Sequence, residues 1–201
     1  MERVSLRRWI RKSCHRYEFA VDNSLPHLSG AIAGAVIGYN PKQIAMDQIT
    51  QALFAASRQG NVPVLNEIFE LTRELDVRDE KGYTPLILAV YNNQIEAAGA
   101  LLDAGADIDA ADAHGNTALM GACFKGHTEV AGLLVKRGVA LDSRNGNGGT
   151  ALMFAAMFQR VDIIKLLLDS GANKELLDSR GLSALDHANL QGNSAAAEKL
   201  R

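Results

Sequence analysis

The chain is short of the features that mark several large protein classes. Its two cysteines, Cys14 and Cys123, are too few for a disulfide framework and lack the paired spacing of a thiolate metal site. A small cross-linked secreted domain is therefore not expected, and a reducing, cytoplasmic setting is. No apolar run approaches the roughly eighteen residues that cross a bilayer; residues 28–39 come nearest, with twelve. The histidines His15, His27, His114, His127 and His187 do not combine with one another or with a cysteine in a metal-ligating pattern. Residues 47–201 carry fourteen Lys/Arg against twenty Asp/Glu, and such a mildly acidic surface is a poor match for a phosphate backbone, so no nucleic-acid partner is expected. The segment GNGG at residues 146–149 lacks the Lys-Ser/Thr end of a phosphate loop and follows no apolar strand. No catalytic residue, cofactor site or metal site is expected.

What the chain does have is self-similarity. Thr84, Thr117, Thr150 and Ser183 stand 33 residues apart. Gly82, Gly115, Gly148 and Gly181 precede them by two residues, Leu86, Leu119, Leu152 and Leu185 follow by two, and Ala89, Ala122, Ala155 and Ala188 by five. A second register holds Leu101, Leu134, Leu167 and Leu200, and Gly105, Gly138 and Gly171 follow the first three. Each unit reads as two short helices. A hydroxyl caps the first, and Pro85 fits the first helical position, where a missing N–H costs nothing. In the second, about residues 127–136, Val130, Leu133, Leu134 and Val135 form an apolar side, and Gly138 is placed to close the helix with a left-handed residue. Residues 107–115 and 142–149 are rich in Asp, Asn and Gly and read as turns. The alanines let first helices approach closely and the leucines of the second helices supply buried area, so stacking produces one continuous core. Cys123, beside Ala122, reads as a small buried thiol.

The segments GYTPLILAVYNNQIEAAGALLDAGADIDAAD (82–112), GNTALMGACFKGHTEVAGLLVKRGVALDSRN (115–145) and GGTALMFAAMFQRVDIIKLLLDSGANKE (148–175) resemble ankyrin repeats. A degenerate first unit from Ala52, with Thr72 in place of the helix-ending glycine, and a terminal unit from Gly181 extend the resemblance. The resemblance implies an all-α ankyrin-repeat solenoid over residues 47–201, in units near 47–78, 79–111, 112–144, 145–177 and 178–201. The family's usual histidine after the TPL triplet is replaced by Ile87, Met120 and Met153, which is expected to soften the fingers. His127 matches a Gly-His pair common in the family and is given a structural role. For function the resemblance implies a non-enzymatic, monomeric module that binds another protein through its fingers and the concave face of its first helices.

Seven residues after each capping hydroxyl the chain reads Tyr91, Phe124, Met157 and Leu190. That register faces the groove in ankyrin arrays, and side chains stepping along it at about 10 Å, the distance between packed helices, would form a stripe. Beside it stand Asn92, Lys125 and Phe158, and the finger tips offer Tyr83, His114, Asn116 and Arg180. Aromatic residues and methionine anchor interfaces, so these eleven are the expected partner-binding residues; the bland alternative is that the stripe only seals neighbouring repeats.

Residues 1–46 differ, with seven Lys/Arg against three Asp/Glu. Arg3, Arg7 and Arg11 would form a basic ridge on a helix whose other sides carry Leu6, Trp9 and Ile10, and Gly30, Gly34 and Gly38 follow at small-residue packing intervals. Three readings stay open: a disordered or miscalled start with translation from Met46, an export or membrane-associating segment that locates a solenoid holding an enzyme or effector, and a partner-binding helix. Any membrane contact is expected through residues 1–40. No repeat register reaches this segment, so residues 1–45 are expected to add little to folding.

Overall fold

Threonine sets where the first helix of each repeat begins. In the computed structural model, which describes residues 41–201 with side chains from residue 46 onward, Thr84, Thr117 and Thr150 each accept a hydrogen bond from the amide three residues on. Ser183 does the same and gains the reciprocal bond, Asp186 accepting from the Ser183 amide, which completes a capping box. The helices of the array are α1 (Pro41–Gln59), α2 (Val62–Phe69), α3 (Pro85–Tyr91), α4 (Ile95–Asp103), α5 (Ala118–Lys125), α6 (Thr128–Lys136), α7 (Ala151–Met157), α8 (Val161–Asp169), α9 (Ala184–Leu190) and α10 (Ser194–Leu200). First helices α1, α3, α5, α7 and α9 stack in one row, second helices α2, α4, α6, α8 and α10 in another, and each pair also packs internally.

Second helices stop by one device used three times. After α4, α6 and α8, Gly105, Gly138 and Gly171 adopt φ of +98°, +80° and +94°. Around Gly138 its own amide bonds the Val135 carbonyl and the Val139 amide bonds that of Leu134, the paired bonds of a Schellman closure. Val139, like Ala106 and Ala172 at the matching places, then folds back into the core. Unit one has Thr72 at that place, and α2 ends at Phe69 with Leu71 left exposed.

The core is one continuous cluster from α1 to α10. Ala89, Ala122, Ala155 and Ala188 are fully buried between first helices, and Leu101, Leu134, Leu167 and Leu200 between second helices. In α6 the buried set is Val130, Ala131 and Leu134; Leu133 and Val135 are half-exposed, because the face that packs on two neighbouring second helices is narrower than the apolar side of the sequence. The first solenoid helix was expected just after Met46 and instead begins at Pro41, making α1 a long edge helix of 19 residues. The basic ridge of Arg3, Arg7 and Arg11 and the glycines at 30, 34 and 38 lie outside the described residues.

Fingers are held by a further 33-residue register. Asp79, Asp112, Asn145 and Asp178 each use Oδ1 to accept from the amides two and four residues on, at 2.8–3.0 Å. With these side-chain turns in place in all four fingers, the expected softness is not what the hydrogen bonding shows. Neighbouring fingers touch through backbone: Gly146 N–H donates to the His114 carbonyl and Ser179 N–H to that of Asn147. Gly82 shows how close this packing is, since a Cβ there would lie 2.5 Å from the Ala113 nitrogen at a φ of +78°.

Candidate functional site

The concave face is assembled from the last turns of the first helices and the finger tips. Tyr91 ends α3 and Phe124 stands in the last turn of α5; both are half-buried. Their rings stack with centroids 5.9 Å apart and an interplanar angle of 15°. The expected 10 Å interval is therefore wrong for the side chains: helix axes set that spacing, but the long rings lean toward one another across it. Tyr83 stacks on Tyr91 at 6.4 Å, and Phe158 meets Phe124 edge-on at 4.6 Å and Phe154 at 6.5 Å. Five rings thus run unbroken from the second finger to the fourth repeat, and aromatic pairs in these geometries contribute about 0.5–1.5 kcal/mol each beyond their buried area. Lys125 extends its Nζ to 4.5 Å from the Tyr91 ring centre, a cation–π contact.

Carbonyls at the groove edge are tied down by the next repeat. The His127 Nε2 lies 3.2 Å from the Tyr91 carbonyl, and Arg160, one period later, donates to the Phe124 carbonyl at 3.3 Å. That gives His127 its structural partner. Cys123 and His127 are four residues apart, yet Gly126 ends the helix between them, leaving the thiol in the core and the ring at the Tyr91 carbonyl. Burial pushes the Cys123 thiol far above its ordinary range, away from thiolate chemistry. Among the described residues no group of three or more His, Cys, Asp or Glu could hold a metal ion, and no helix is long and apolar enough to cross a membrane.

Three clefts follow the stripe. Between repeats one and two a cleft of about 640 Å³ is lined by Arg58, Arg78 and Lys81, by the carboxylates Asp79 and Glu80, and by Tyr83, Tyr91 and Asn92 among others. A narrower notch of about 170 Å³ lies between Tyr91, Phe124, Phe154 and the backbone of Gly121, with Asn116 at its finger edge. The third, about 580 Å³, gathers Phe124, Met157, Phe158 and Arg180. The Tyr83 hydroxyl is held above its ordinary pKa by burial first, and then by the Asp112, Tyr91 and Asp79 charges. Asp178 is lowered to about 2, chiefly by the Leu182 amide, with the Arg180 amide and the His187 and Arg180 side chains adding to it.

Of the eleven expected residues, Tyr83, Tyr91, Phe124, Lys125, Met157, Phe158 and Arg180 come together along the groove, and Asn92 lines its first cleft. Asn116 reaches the notch, but its amide is engaged by Asp112 and Asn145. His114 is exposed on its finger. Leu190, 67% exposed at the end of α9, joins no ring contact, because no described repeat follows to lean on it. Sequence reasoning missed Arg58, Gly121 and Phe154. Arg58 precedes Tyr91 by one period, and Gly121 and Phe154 share the row four residues after each cap, so the same 33-residue step could have found all three.

Comparison with known proteins agrees with this architecture. The sequence matches the family described as Ankyrin repeats (3 copies) over residues 36–112, 53–145 and 119–201. The chain belongs to the ankyrin-repeat family. Ankyrin repeats are in general protein–protein interaction modules, and the family is typically non-enzymatic. A stretch of 49 residues is also 39% identical to part of the human ankyrin repeat and SOCS box protein 3, covering 24% of this chain and 10% of that protein. The chain thus corresponds to a small part of that relative's length.

Proposed function

We propose that this ankyrin array is a non-enzymatic binding module that takes a partner protein along its concave face, with Tyr91 and Phe124 at the centre of the site. The observation that carries the reading is the unbroken run of five half-buried rings from Tyr83 to Phe154, flanked by Lys125 and Arg180. The alanine and leucine rows beneath are fully buried, and Tyr83 and Phe154 pack against that core while each ring keeps part of its surface in the groove. Aromatic side chains held half-buried by one another lose little entropy when a partner covers them, which favours their use as anchors. The proposal places the module in residues 47–201, as a monomer in the cytoplasm, in a scaffolding role. The acidic balance of that region favours a protein over a nucleic acid as partner.

Site-directed photo-crosslinking tests this reading. A photoreactive phenylalanine analogue replacing Phe124 or Phe158 in the groove should join the array to its partner, whereas the same analogue replacing Glu96 or Lys136 on the second helices should not. Crosslinks from the second helices with none from the groove would move the site to the opposite face.

A further inference from the structure

The finger at residues 142–149 contains the run Asn145-Gly146-Asn147-Gly148, which holds the only two Asn-Gly pairs in the chain. An asparagine before glycine can lose its side-chain amide without a catalyst. The backbone nitrogen of the glycine attacks the side-chain carbonyl carbon, ammonia leaves carrying the proton that this nitrogen gives up, and water then opens the cyclic imide at either carbonyl. Glycine permits the attack because it sets no Cβ beside the nucleophile. Opening at one carbonyl gives aspartate, and opening at the other gives isoaspartate, whose backbone runs through the former side chain.

The finger holds these two asparagines differently. At Asn145 both ends of the side chain are engaged: Oδ1 accepts from the Asn147 and Gly149 amides at 3.0 and 2.9 Å, and Nδ2 donates to Asn116 Oδ1 at 2.8 Å. The nitrogen that would attack it, the Gly146 N–H, donates to the His114 carbonyl of the neighbouring finger, and the Asn145 carbonyl accepts from the Gly148 amide. Closing an imide at Asn145 turns its side chain and its Cα–C bond, so all five of these bonds must break. Asn147, by contrast, is exposed, and its side chain has no hydrogen-bond partner among the described residues. Closure there breaks two bonds, from the Gly148 amide to the Asn145 carbonyl at 2.8 Å and from the Ser179 amide to the Asn147 carbonyl at 3.0 Å. Both lie at the surface, where local opening is easiest.

We infer that Asn147 is a site of spontaneous deamidation in the folded array, and that Asn145, two residues away, is shielded from the same chemistry. The repeat gives the change a consequence. At 33-residue steps the finger tips carry Lys81, His114, Asn147 and Arg180, and Asn147 lines the third cleft beside Phe124, Phe158 and Arg180. That cleft already holds the Asp178 carboxylate, which is engaged by His187 at 3.0 Å and by Arg180 at 3.3 Å. Conversion of Asn147 sets a second carboxylate at its rim, in a row of finger tips that otherwise has none. Isoaspartate also lengthens the backbone within the turn that meets Ser179. Ageing of the protein thus changes both the charge and the shape of the groove at this finger, with water as the only co-reactant.

The test is incubation of the full 201-residue chain at mildly alkaline pH in water enriched in heavy oxygen, once folded and once in urea. Tryptic cleavage after Arg144 and Arg160 then releases both asparagines on one peptide, and fragmentation in the mass spectrometer assigns the labelled carboxylate to residue 145 or 147. Digestion in ordinary water leaves any later conversion unlabelled. In the folded chain Asn147 should convert at least about tenfold faster than Asn145, because three fewer hydrogen bonds must open. In urea the two should convert at similar rates. Asn147→Gln, whose longer side chain closes a larger ring, should abolish the fast conversion and leave Asn145 as slow as before. Equal rates in the folded chain, or faster conversion at Asn145, would overturn the inference. So would a folded chain that keeps Asn147 intact while the unfolded chain converts it.

Discussion

Adjacent residues in α5 should respond to enlargement with opposite signs. Ala122 is fully buried where α5 packs against α3 and α7, in the alanine row that fixes the distance between first helices. Ala122→Leu adds three carbons to a stack with no room for them, and overpacking of this kind costs about 1–3 kcal/mol. Gly121, one residue earlier, turns to the groove, where a methyl group meets the Tyr91 ring edge at an ordinary 3.5 Å. Gly121→Ala should therefore recover the helix-propensity difference of about 0.5–1 kcal/mol. For an array of this size 1 kcal/mol moves the melting temperature by about 2–4 °C. The leucine variant should then melt about 2–12 °C lower and the alanine variant about 1–4 °C higher, read by circular dichroism and checked by urea midpoints. Both changes shifting stability in the same direction, or an unaffected Ala122→Leu, would mean that the two faces of α5 are assigned the wrong way round.

Further outcomes follow from single residues. Gln159 holds a left-handed φ of +59° at a register position where Gly60, Gly126 and Gly192 stand elsewhere, so Gln159→Gly should raise stability by about 0.5–1 kcal/mol in urea unfolding. Thr117→Ala removes the cap of α5 and should cost about 0.5–2 kcal/mol by the same measurement. Asp178, with its pKa lowered to about 2, contributes stability that is complete above the ordinary carboxylate range and is lost as pH falls from about 4 toward 2. Asp178→Asn keeps the finger turn, as Asn145 does one repeat earlier, and should flatten that acid loss of melting temperature. Cys123, buried with a raised pKa, should resist a thiol reagent in the native array and react once urea unfolds it.

How much could be read from the residues depended on whether a feature repeats. The helix pairs, the caps at Thr84, Thr117, Thr150 and Ser183, and the glycine stops at 105, 138 and 171 were legible, because each is a local rule met at a fixed 33-residue step. The finger turns at Asp79, Asp112, Asn145 and Asp178 obey the same step; composition marks residues 107–115 and 142–149 as turns but does not carry which side-chain oxygen accepts which amides. The groove was legible as a row but not as contacts. Ring stacking between Tyr91 and Phe124 depends on side-chain directions across a helix interface, which spacing along the chain does not carry. Gly121 was hidden for a related reason, because an absent side chain gains meaning from the Tyr91 and Phe154 rings around it.

The concave stripe itself is tested most directly by removing its two central rings. The measurement is the affinity of Tyr91→Ala/Phe124→Ala for the partner that crosslinking identifies, beside Glu96→Ala/Lys136→Ala as an outer-face control. Because the two rings touch, part of what is lost belongs to the free array, so circular dichroism and melting must first show the fold intact. The account predicts that the ring variant binds at least about thirtyfold more weakly, roughly 2 kcal/mol, while the outer-face variant binds as the parent does. A folded ring variant that binds normally would contradict it, and would leave the stripe as packing between repeats.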